Sequence, residues 1–336
     1  MKNLSIILSL FTAFVLSGCR QELCYDHEGL TDIAFGWEKE WERDYGCNHA
    51  ASWDAEFHGL GYDDLRPDVA SSVTMIAYPA AGESYNLFLS AEGAKVPALA
   101  TGSLLFYNDD TECVVIDETA SIPNAIATTT GRSRSSLQPL HKGERTVNAP
   151  DVLYAALIES HTGTESHTTD QLTVSMRPVV YTYLIRYNIE QGGELVSLAR
   201  GALAGMAEKV MLRDGSTPAD AATILFDASV STDGKTVNAL VSSFGVPSHP
   251  GYADTSNTLS SEGPFTLNLE LLLRDGSMQT FEFDVTRQMA NQPRGGVISV
   301  SGIYVINNST QVDSGFDVEV DDWGDYEDVI LPPFET

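Results

Sequence analysis

Between Val179 and Ile189 the odd positions are Val179, Tyr181, Tyr183, Ile185, Tyr187 and Ile189, with Thr182, Arg186 and Asn188 among the residues between them. Successive side chains of a strand face opposite sides of its sheet, so this period over eleven residues predicts a half-buried strand. Phe265, Leu267, Leu269, Leu271 and Leu273 alternate likewise with Thr266, Asn268 and Glu270. Asp275-Gly276 then supplies turn chemistry, and Phe281, Phe283 and Val285 alternate on the return, which predicts a hairpin. Val297 to Val305 and Phe316 to Val320 read as two further strands, the second with Asp317, Glu319 and Asp321 on its solvated face.

The first half carries the same signals. Val73 to Pro79, Tyr85 to Leu89, Gly102 to Tyr107 and Tyr154 to Ile158 read as strands, and Phe35-Gly36-Trp37-Glu38 with Trp41 as a first strand and turn. Short strands at regular spacing predict a mainly β chain with little helix, built as two tandem antiparallel β-sandwiches. The one helix signal is Leu195 to Met211, where Leu198, Ala202 and Met206 stand at helical spacing. Glycines at 201 and 205 reduce it to a short helix or an irregular crossing over the sheet. Residues 118–150, rich in Ser, Thr, Pro and Arg, read as a long exposed loop. A length of 336 residues suits two domains, which the pattern divides into a leader at 1–18, a first domain at 19–170 and a second at 171–336 with an acidic tail.

The leader has a cationic start, Met1-Lys2-Asn3, and an apolar stretch from Leu4 to Leu16. That stretch is too short to span a bilayer and has the form of a secretory signal. Leu16-Ser17-Gly18-Cys19 follows, with small residues for a peptidase cleft and a thiol for acylation, and resembles a bacterial lipobox. Cys19 is thus the expected lipid attachment point, and several acyl chains on one cysteine give lasting membrane attachment. The acidic start that follows suits an outer-membrane lipoprotein exposed at the cell surface.

Charge excludes whole classes of partner. Asp and Glu number 47 against 19 Lys and Arg, a net charge of −28, so neither nucleic acid nor an anionic membrane surface has basic residues enough to bind. An exported chain meets an oxidising compartment, and Cys24 and Cys47 are the candidate disulfide, with Cys113 read as a buried thiol in a strand. The competing arrangement, zinc held by Cys24-x2-His27 and Cys47-x-His49, has a second spacing poor for tetrahedral sites, so no metal is expected. His161 and His167, in Ser/Thr-rich sequence, read as solvated. The chain has no Gly-x-Ser-x-Gly elbow, Walker A loop, His-Glu-x-x-His or dinucleotide fingerprint. No cofactor is expected, and no enzymatic activity.

Several segments together carry a resemblance. They are Cys19 with Leu23-Cys24-Tyr25-Asp26-His27, then Phe35-Gly36-Trp37, Met75-Ile76-Ala77-Tyr78-Pro79, and Leu105-Phe106-Tyr107-Asn108-Asp109-Asp110. Gly201-Ala202-Leu203-Ala204-Gly205-Met206 and Phe316 to Trp323 complete the set. The chain resembles the fimbrillin-like lipoproteins of Bacteroidales, related to the anchor and accessory subunits of type V pili. The resemblance implies two transthyretin-like β-sandwiches, other fimbrial subunits as partners, and assembly by β-strand addition, with an adhesion ligand on a host or bacterial surface. It also implies a processing site after an arginine, for which Arg43 in Trp41-Glu42-Arg43-Asp44 is the candidate. The tail Val329 to Phe334 is a candidate donor or docking segment, limited by its two prolines. A surface glycan-binding lipoprotein is the alternative, with Trp37, Trp41, Trp53 and Trp323 as its aromatics; three of these crowd the N-terminal region, where packing is expected.

Overall fold

The computed structural model describes residues 29–43, 49–117, 119–133, 143–163, 169–253 and 264–306, together with the backbone of 327–329. Strands dominate it. The first sheet contains β1 (Leu30–Trp37), β2 (Ser72–Pro79), β3 (Tyr85–Ser90), β4 (Ala94–Pro97), β5 (Gly102–Asn108), β10 (Tyr154–His161) and β11 (Asp170–Pro178). Their order is β3-β2-β5-β10-β11-β1-β4. A small sheet joins β6 (Val114–Asp117), β7 (Ile126–Thr129) and β14 (Lys209–Met211).

The second large sheet runs β18-β17-β13-β15-β16-β12-β19. Its strands are β12 (Tyr181–Gln191), β13 (Val196–Ala207), β15 (Ala221–Val230), β16 (Thr236–Ser243), β17 (Thr266–Leu273), β18 (Met278–Asp284) and β19 (Gly296–Tyr304). A branch leaves β15 through β9 (Thr146–Val147) and β8 (Gly131–Ser133) to β20 (Glu327–Val329), which places the start of the candidate tail segment against β8. Helices are short: α1 (His49–Ser52), α2 (Ala55–His58) and α3 (Thr286–Asn291).

The alternating segments become β12 and the β17–β18 hairpin, with Gly276 in the left-handed conformation that its turn needs. Most pairings are antiparallel, but β1 with β11, β12 with β19 and β9 with β15 are parallel. The first large sheet runs on to Pro178, and the main run of the second begins at Tyr181, while its branch takes β8 and β9 from earlier in the chain.

Each large sheet folds round its own apolar core. Ile33, Met75, Phe106, Tyr154 and Val174 belong to the first, and Tyr187, Leu203, Phe226, Leu269 and Ile298 to the second. A third cluster fastens the halves together, with Leu105, Tyr107 and Ala155 packed beside Val210, Leu212 and Phe244. The small sheet does the same through backbone bonds, because β7 comes from the first half and β14 from the second.

Four expectations are corrected. The helix expected over Leu195–Met211 is strand, β13 followed by β14. Glycine explains both the misleading pattern and the strand. Phe226 lies directly opposite Gly201, and a Cβ there would stand 2.3 Å from its ring. Gly205, at φ +87°, takes up the extra residue of a bulge between Leu203 and Met206. Gly201→Ala is therefore expected to cost about 2 kcal/mol through overpacking, lowering the melting temperature in a thermal scan by roughly 5 °C. The loop expected over 118–150 contains β7, β8 and β9. His161, expected in solvent, ends β10 and is buried, while Cys113, expected as a buried thiol in a strand, directly precedes β6 and is half-buried.

Candidate functional site

The first strand has an unusual position. It is first in the chain yet lies inside the sheet, parallel to β11 from Thr31↔Asp170 to Trp37↔Met176 and antiparallel to β4 from Leu30↔Pro97 to Ile33↔Ala94. Its sequence explains its seat. Ile33, Phe35 and Trp37 share one face by the period of two and point into the core. Phe35 meets Phe106 edge-on at 6.0 Å, and Trp37 meets Tyr154 edge-on at 4.9 Å.

From Trp37 the chain crosses to the second sheet as a bonded tether. Glu38 N–H donates to Met176 O at 3.0 Å, Trp41 O accepts from Thr182 N–H at 3.0 Å, and Arg43 N–H donates to Arg294 O at 2.8 Å. Arg43 itself is ion-paired by one nitrogen to Glu38 and Glu40, each at 2.7 Å. Burial would raise the Glu38 carboxyl, but the hydrogen bond and charge of Arg43 outweigh it and hold that group below its usual range. Burial and the neighbouring Glu38 carboxylate raise Glu40 instead. Arg43 is thus held by two carboxylates and a main-chain bond.

An aromatic cluster pins the tether down. Trp41 is 1% exposed and packs against Trp53 at 5.8 Å and Tyr62 at 5.5 Å. Trp53 stacks on His58 at 4.1 Å and donates its indole N–H to Leu60 O at 2.9 Å. Tyr62 donates its hydroxyl to Glu42 at 2.7 Å; burial and that carboxylate push the phenol upward. Asp54 caps α2 by accepting the Phe57 N–H, and Arg186 of β12 lies 4.1 Å above the Phe57 ring. Burial and the Arg186 charge lower the His58 imidazole. Aromatic mass near the N-terminus signalled this cluster in the sequence, but nothing local signalled Arg186 as its partner.

Cys19, Cys24, His27, Cys47, His167, Trp323 and Phe316–Val320 lie outside the described residues. His49, from the rejected zinc arrangement, has its ring 6.0 Å from that of Trp41. Trp37, Trp41 and Trp53 pack among protein groups, as their crowding predicted.

Residues 63–227 match a family described as Domain of unknown function (DUF5119). The chain matches no curated protein. A crystal structure of a candidate adhesin from Bacteroides ovatus superposes with a TM-score of 0.59 at 22% identity, covering 88% of this chain and 99% of that one. The two share a fold. The fimbrial anchor protein Mfa2 of Porphyromonas gingivalis aligns at a TM-score of 0.43 and 12% identity, over 81% of this chain and 90% of that one. A candidate polysaccharide-binding protein of Bacteroides thetaiotaomicron aligns at 0.44 and 11%, over 82% and 92%. Superpositions that loose carry no argument about role.

Proposed function

We propose that this protein is a fimbrial anchor or accessory subunit at the cell surface, held in the outer membrane by lipid on Cys19 and joined to other subunits by β-strand addition. The observation that carries the reading is β1: the first of the described strands, seated inside a sheet, bonded on both sides, and linked onward through one tether. A strand so placed is separable in principle, and its seat is shaped for an extended segment. The tether's bonds favour the uncut form, in which Arg43–Asp44 stays intact and the lipid stays attached. That form suits a stationary subunit rather than a polymerising one.

A second feature supports strand addition. β3 is an edge strand without a charged residue, and its Phe88 is 78% exposed. Such an edge is a template for another chain. The glycan-binding alternative finds Trp37, Trp41 and Trp53 turned against protein, and the reading assigns no catalytic step.

Cys19→Ala separates attachment from folding. The variant is expected to leave the membrane pellet for the soluble fraction, with the bound share falling about tenfold, while keeping its melting temperature. A variant that sediments with membranes as the wild type does would remove the anchor from this reading.

A further inference from the structure

Among the described residues β19 pairs with β12 on one side only. Its other side is covered by side chains. Gln292 donates from Nε2 to Val297 O at 2.8 Å and accepts the Val297 N–H through Oε1 at 2.6 Å. Gln288 does the same for Ser299, both bonds at 3.0 Å. Gln279 donates to Ile306 O and accepts the Ile306 N–H at 3.3 Å. A primary amide offers a donor and an acceptor side by side, the same pair that a peptide unit offers. Each glutamine therefore stands where one residue of a neighbouring strand would stand.

The three come from separate places. Gln279 lies on β18, Gln288 in α3, and Gln292 caps the C-terminus of α3. Met289, buried in the core, holds α3 against the seam between the two end strands. The Gln292–Val297 pair is local, 5 positions apart, but Gln288 reaches Ser299 across 11 positions and Gln279 reaches Ile306 across 27.

The other edges indicate what the cover is for. β4 carries Lys95 and Pro97, and β18 carries Glu282 and Asp284; such residues discourage pairing with another chain. From Val297 to Ile306 there is no charge and no proline, and Tyr304 and Ile306 are exposed. Among the described residues, β3 and β19 are the uncharged edges of the two large sheets, and no pairing strand is seen beside β3, whereas side chains cover β19.

We propose that Gln279, Gln288 and Gln292 form a surrogate strand that keeps the β19 edge from pairing with β19 of a second copy of this chain. A two-fold antiparallel pairing centred on Ser299 would use the same N–H and C=O groups that the glutamines hold, and it presents the same patch on both copies. The inference does not depend on the fimbrial role.

The test uses the purified full-length chain with its cysteine anchor replaced, Cys19→Ala, as the reference. Gln288→Leu/Gln292→Leu removes both amides and leaves apolar side chains one atom shorter. Amide hydrogen exchange at Val297 and Ser299 is expected to quicken about tenfold, while Ile298, which faces β12, keeps its protection. At matched concentration the dimer fraction, read by light scattering, is expected to rise about tenfold over the reference. Gln279→Leu is the milder companion, with faster exchange at Ile306 and a smaller rise in dimer. Unchanged exchange in these variants would show that the glutamines do not hold the edge. Faster exchange in a chain that stays as monomeric as the reference would show that they hold it without guarding it. Either result overturns the proposal.

Discussion

A chain beginning at Asp44 is expected to melt at least about 10 °C below one beginning at Gly29, and added Leu30–Arg43 peptide is expected to restore most of the loss. Burial sets the size of the effect. Ile33 is fully buried, and Phe35 and Trp37 pack half-buried against Phe106 and Tyr154. At about 1.5–3 kcal/mol for each fully buried large side chain, the face contributes roughly 5 kcal/mol, which rivals the whole stability of an ordinary domain. Losing β1 also strips a backbone ladder from β11 and leaves β4 without its neighbour. The unpaired N–H and C=O groups of β11 are costly beside apolar surface, and an extended peptide satisfies them all at once. Calorimetry with and without peptide reads both halves of the expectation, since a ligand that binds only the folded chain raises the melting point with its concentration. A shortened chain that melts with the longer one would mean that β1 contributes little and that its seat is no docking groove.

The second large effect lies in the other sheet. Arg200 and Glu270 stand directly opposite each other on β13 and β17, 2.5 Å apart, with side chains 3% and 2% exposed. Asp227 is the cross-strand neighbour of Arg200 on β15. Glu270→Ala leaves a buried guanidinium facing the space of its lost partner, which costs about 3–5 kcal/mol. The melting temperature is then expected to fall by roughly 10 °C or more. Replacing both, Arg200→Met with Glu270→Leu, is expected to recover most of that loss, because two apolar groups need no partner. A thermal scan of the two variants against the parent decides it. A double variant as unstable as the single one would place the pair's value in geometry specific to this site.

Sequence periodicity revealed the strands whose two faces differ. β12, β17 and β18 alternate because one side meets the core and the other meets polar neighbours. β13 was illegible for the opposite reason. Arg200, Gly201, Ala202 and Leu203 are all buried, so no alternation survives, and its small residues leave room for Phe226. The parallel pairing of β1 with β11 was equally hidden, because it joins positions about 140 residues apart and neither strand's pattern names its partner. At the candidate site, Arg43 and its partners Glu38 and Glu40 are close in sequence, yet only the fold shows Arg294 and Thr182 bonding the tether. The glutamines beside β19 gave no signal at all. An isolated Gln reads as surface, and its use as a backbone substitute depends on where α3 delivers it.

On the reading proposed above, this is a stationary, lipid-held subunit whose first strand stays in place. Intact mass and N-terminal analysis of the protein taken from its own cell envelope test it most directly. The expected result is a chain that begins at acylated Cys19 with the Arg43–Asp44 bond unbroken. A chain that begins at Asp44 and carries no lipid would contradict it, and would mean a subunit that gives up β1 and polymerises.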